Sequence, residues 1–80
     1  MRDSSALASA LKRRVGVNVR RLRREQGMTQ RALAERAGLD QRHVVKIEAA
    51  DANVTIATLV RLSNALGTTP SNLVSRPPRR

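Results

Sequence analysis

Apolar positions recur at helical spacing along the chain, and glycines or short polar stretches interrupt them. Leu7 and Leu11 stand four apart in MRDSSALASALKRR, which suits a helix but lacks a strong start signal. Residues 1–14 are therefore expected to form a basic extension, partly helical or disordered. From Val15 the pattern sharpens: Val15, Val19 and Leu22 share one face, with Arg20, Arg21 and Arg24 opposite, until Gly27 ends the helix. Thr29 caps a second, two-turn helix with Leu33, Ala34 and Ala37 on its apolar stripe, and Gly38 stops it. Asp40 caps a third helix that buries Val44 and Ile47. After the loop AADAN, Thr55 caps a fourth helix with Ile56, Leu59, Val60, Leu62 and Leu66 as its apolar set, closed by Gly67. Thr69 and Pro70 form a cap and first-turn pair for a short fifth helix bearing Leu73 and Val74. There is no strand signal and no internal repeat. The pattern predicts an all-α, compact five-helix bundle in a single domain over residues 15–74, followed by a disordered basic tail over 75–80.

Composition narrows the partners. Without cysteine or aromatic residues, the core must be built from Leu, Val, Ile and Ala. Sixteen Lys and Arg against six Asp and Glu leave a net charge of +10, and fourteen of the sixteen are arginine. A polyanionic partner follows, and arginine's bidentate chemistry toward phosphate and guanine favours nucleic acid. Aromatic platforms for stacking unpaired bases are missing, which turns the expectation toward double-stranded DNA. No signal peptide or membrane span is visible, so a cytoplasmic, nucleoid-associated protein that does not bind membranes is expected. An enzyme is disfavoured by inventory: one histidine, no cysteine and scattered acids assemble no nucleophile–base or carboxylate pair, and no metal site or cofactor is implied.

The segment QRALAERAGLDQRHVVKIEA, residues 30–49, has what two steeply crossed short helices need. Ala34 is the small residue at the backbone approach, Gly38 the turn, and Leu33, Ala37, Leu39, Val44 and Ile47 the inner apolar points. With these residues in place, and with LRREQGMTQRALAERAGL and VVKIEAADANVTIATLVRLSNALGTTPSNLV in register around them, residues 15–74 resemble the Cro and phage-repressor family, also called the xenobiotic response element family of helix-turn-helix regulators. The resemblance implies a lambda-repressor-like DNA-binding domain that acts in transcription regulation, most simply as a repressor. Many members carry Asn-Gly after the glutamate and a proline before helix 4. Here Ala49, Ala50 and Val54 stand in those places, and a loop without that glycine turns through positive φ less cheaply.

The family pattern places helix 3 in the major groove, so Gln41, Arg42 and Lys46 are the expected base readers. Glutamine matches adenine, arginine guanine, and lysine guanine or phosphate. Val45, beside them, can touch a thymine methyl. Gln30, at the start of helix 2, resembles the family glutamine that bonds phosphate and braces the recognition helix. Arg31 and the lone histidine, His43, are expected near the DNA backbone, and Arg20, Arg21, Arg24 and Arg36 are candidates for non-specific phosphate contact. Arg23 and Glu48 match a semi-buried structural ion pair between helices 1 and 3. The resemblance further implies a homodimer paired through Gly67–Val74, with Leu73 and Val74 as apolar contacts, on an inverted-repeat operator. The alternative expectation is an antitoxin that binds a partner toxin and its own promoter.

Overall fold

The computed structural model describes residues 4–78. Among the described residues five helices form: α1 (Ser4–Glu25), α2 (Gln30–Ala37), α3 (Gln41–Glu48), α4 (Ile56–Leu66) and α5 (Pro70–Val74). Local chemistry sets their ends. The side chains of Thr29, Asp40, Thr55 and Thr69 accept hydrogen bonds from the backbone N–H of Ala32, Arg42, Thr58 and Asn72, respectively. After α1, α2 and α4 the chain reverses through Gly27, Gly38 and Gly67 at φ near 70°, and the next residue's N–H returns to a carbonyl five positions earlier.

Helix α3 ends in the same motif, but with alanine in the glycine's place. Ala50 has φ 59°, while its N–H bonds Ile47 O at 3.0 Å and that of Asp51 bonds Lys46 O at 2.8 Å. The loop thus takes the positive-φ path that its sequence makes expensive. A left-handed L-residue costs ~1–2 kcal/mol, and glycine's extra unfolded-state freedom offsets part of that. Ala50→Gly is therefore expected to stabilise the protein by ~0.5–1 kcal/mol, read as a rise of several degrees in a thermal melt.

Helix α1 packs across α3, α4 and α5, while α2 packs on α3 and α4. Their shared core holds Val15, Val19, Leu33, Val44, Ile47, Leu59, Leu62, Leu66 and Leu73. Three features depart from the sequence expectations. First, α1 is one unbroken helix from Ser4, so no break in the helix marks the boundary expected at residue 15; residues 1–3 and 79–80 lie outside the described residues. Second, Ile56 (76% exposed) and Val60 (42%) point away from the core, and Thr58, Ser63 and Ala65 are buried instead. The stripe of α4 is centred on Leu59, Leu62 and Leu66, and Ser63 satisfies its hydroxyl on Leu59 O at 2.7 Å. Third, Leu73 has no exposed surface and belongs to the core. It cannot also be a dimer contact; of the two residues expected there, only Val74 reaches the surface.

A buried amide fixes α5. Asn18, 1% exposed, aims its Nδ2 at the carbonyls of Asn72 (3.2 Å), Leu73 (2.9 Å) and Ser75 (2.9 Å). A helix of five residues leaves most of its carbonyls without intrahelical partners, and α1 supplies the missing donor. Arg21 Nη2 in turn donates to Asn18 Oδ1 at 3.3 Å.

Candidate nucleic-acid interface

The α2–Gly38–α3 corner brings two eight-residue helices together over Ala34 and Ala37, both buried. Arg61 Nη1 donates to Gly38 O at 3.1 Å and ties the corner to α4. With Val44 and Ile47 anchored in the core, the opposite face of α3 is left to solvent: Gln41, Arg42, Val45 and Lys46 are all exposed. Arg42 is 91% exposed and lies 3.8 Å from Asp40 Oδ1, the oxygen that also caps the helix through Arg42 N at 2.8 Å. Asp40 is thus occupied as a cap. His43 is half-buried and lines one shallow depression with Asp40, Arg42 and Lys46.

The inner end of α3 is locked. Arg23 Nε and Nη2 donate to Glu48 Oε2 and Oε1 at 2.6 and 3.0 Å, and Arg23 Nη1 donates to Met28 O at 2.8 Å. The side chains are only 12% and 4% exposed. The hydrogen bond to Glu48 holds the Arg23 guanidinium above its already high ordinary range, although burial opposes it. Gln30 Nε2 joins the cluster on Glu48 Oε1 at 3.2 Å, which leaves its second hydrogen for an acceptor outside. Arg31 stands clear of this cluster, 77% exposed and 3.4 Å from Glu35. The structure therefore brings Arg23, Glu48 and Gln30 together and sets Gln41, Arg42 and Lys46 apart from them on the outer face.

One contributor escaped the sequence reading. A Cβ placed on Gly16 would lie 2.6 Å from Ile47 O and 2.9 Å from Glu48 O, so α1 meets the backbone end of α3 directly. A glycine inside an amphipathic helical pattern, where it costs ~1 kcal/mol relative to alanine, was the available signal. Among the described residues no group of acids and histidines is placed to hold a metal ion, and no helix is long and apolar enough to cross a membrane.

The helix-turn-helix family model HTH_3 matches residues 19–73. A hypothetical transcription factor from Neisseria, NHTF, is 28% identical with a TM-score of 0.81, over 84% of this chain and 77% of that one. The restriction-modification controller protein C.AhdI from Aeromonas hydrophila is 32% identical with a TM-score of 0.74, over 78% of this chain and 94% of that one. An HTH_3 family transcriptional regulator from Vibrio cholerae shares the fold at 24% identity and a TM-score of 0.78, with 82% of this chain spanning 37% of its length. No curated protein matches the chain.

Proposed function

The chain belongs to the HTH_3 helix-turn-helix family, with the fold of Cro/C1-type DNA-binding transcription regulators, and on that premise we propose that it is a repressor whose α3 reads base edges in the major groove. The observation that carries the reading is the division of α3: its inner face and C-terminal end are fixed by core packing and Arg23–Glu48, while Gln41, Arg42 and Lys46 face solvent. Rigid backing under free polar side chains lets a few hydrogen bonds discriminate between bases. Gln30's spare N–H, Arg31 and His43 are positioned to meet phosphates beside it. Bound at a promoter, such a protein represses by exclusion.

One recognition helix covers too few base pairs to single out a site in a genome, so the protein acts as a dimer on an inverted repeat with half-sites ~34 Å apart. Val74 supports this pairing: half-buried, it lines an apolar groove with Ala8, Leu11, Val15, Val54 and Leu59. Selection from random oligonucleotides is expected to yield a two-fold symmetric site, and Val74→Asp should weaken binding to it without changing the preferred bases. A selected site without internal symmetry, bound by one protein per duplex, would contradict the dimer. The same groove and the exposed Leu7 (59%) also favour a second reading, an antitoxin holding a toxin there, which co-purification from the native host would reveal.

A further inference from the structure

The positive charge is not where the bases are read. Residues 30–49, which carry the corner and the reading face, hold four cations and three acids, whereas α1 alone holds seven cations and one acid. Arg31 and Arg42 each lie beside a carboxylate, on Glu35 at 3.4 Å and Asp40 at 3.8 Å. In α1, Arg23 is committed to Glu48 and Arg21 lies 3.4 Å from Glu25. Arg13, Arg14, Arg20 and Arg24 have no carboxylate partner among the described residues. Arg13, Arg20 and Arg24 are exposed and follow one another at i, i+7 and i+11, so they form a straight row on the side of α1 away from the core.

From the helical rise, the row spans ~16 Å, with steps of ~10 Å and ~6 Å. A duplex carries a phosphate charge every ~1.7 Å along its axis, so a row of that length on long side chains can meet more than one phosphate. Arg20 also borders the reading unit, lining one depression with Gln30, Val45 and Glu48. The C-terminal segment lies along the other edge: Asn18 holds Ser75 O, and half-buried Pro77 sits beside Arg13, Arg14 and Val17. It adds exposed Arg76 and no acid. Like charges three or four apart weaken a helix slightly, so this row contributes nothing to folding that would explain it.

We propose that Arg13, Arg20 and Arg24 on the outer face of α1, with half-buried Arg14 on its flank, form a second phosphodiester-binding surface, which supplies most of the sequence-independent affinity while α3 supplies selectivity. The proposal rests on the reading of the chain as a duplex-DNA binder. Its phosphates come either from the flank of the same duplex or from a second one.

The test compares the wild-type chain with the triple variant R13Q/R14Q/R24Q on a random-sequence duplex, titrated from about 50 to about 200 mM salt. At ~0.9 per neutralised phosphate, the variant is expected to lose ~2.7 from the slope of log affinity against log salt, with R13K/R14K/R24K restoring it. If the triple variant fails to melt cooperatively, single R24Q carries the test, with an expected loss of ~0.9. A second arm asks whether protein on an immobilised duplex captures a labelled one. Capture by the wild type, lost in the variant, assigns the phosphates to a second duplex. No capture, with affinity that grows as the duplex is lengthened beyond the selected site, assigns them to the flank. An unchanged salt slope in a folded variant would overturn the proposal. Failure of the other reading looks different: a wild-type protein without base preference, whose salt slope still depends on these arginines, removes base reading by α3 and leaves this surface standing.

Discussion

Replacing Glu48 with alanine is expected to cost ~3–5 kcal/mol of stability, the penalty for breaking a buried ion pair by removing one partner. The 4%-exposed carboxylate receives three hydrogen bonds, two from Arg23 and one from Gln30. Its loss leaves the Arg23 guanidinium, 12% exposed, with only Met28 O at 2.8 Å. An 80-residue domain has a total stability of ~4–12 kcal/mol, so the variant should be largely unfolded at modest temperature. Glu48→Gln keeps an acceptor but removes the charge, and an intermediate melting temperature is expected. A Glu48→Ala protein that melts like the wild type would show that the pair does not hold α3.

Gly16→Ala should also destabilise the protein, by less and for a different reason. The new methyl would sit 2.6 and 2.9 Å from two backbone carbonyl oxygens, and neither can rotate away as a side-chain tip would. Separating α1 from α3 then disturbs the core that Val15 and Val19 share with Ile47. The strain of over-packing, ~3 kcal/mol, exceeds the ~1 kcal/mol of helix propensity that alanine gains. A net loss of ~2 kcal/mol corresponds to a drop of roughly 8–16 °C in Tm. An unchanged or raised Tm would mean that the two helices are not in backbone contact at this point.

Whatever is decided within one or two turns was legible in the sequence. The caps at Thr29, Asp40, Thr55 and Thr69 depend on a side chain and the N–H two or three residues on, whereas the missing glycine at Ala50 showed only against the Asn-Gly of the family pattern. The pairing of Arg23 with Glu48, 25 residues apart, came from the family pattern and not from spacing. What the sequence hid depends on the neighbour. Asn18 follows Val15 by three and looks like a flaw in an apolar stripe until the carbonyls of α5 appear beside it. Leu73 and Val74 share a helix of five residues, too short for periodicity to tell its inner face from its outer. Ile56 is apolar yet exposed, because where α4 is buried depends on how α1, α2 and α5 close over it.

If α3 reads bases, it does so with side chains the fold does not need. The most direct test takes the selected site and measures, for wild type, Gln41→Ala, Arg42→Ala and Lys46→Ala, the thermal melt and the affinity for every single-base variant of one half-site. Melts within ~0.5 kcal/mol of wild type are expected, since these side chains are exposed, with a loss of ~1–3 kcal/mol of discrimination confined to one or two positions for each bidentate reader. Uniformly weakened binding with an unchanged base preference, or variants that melt early, would contradict this reading.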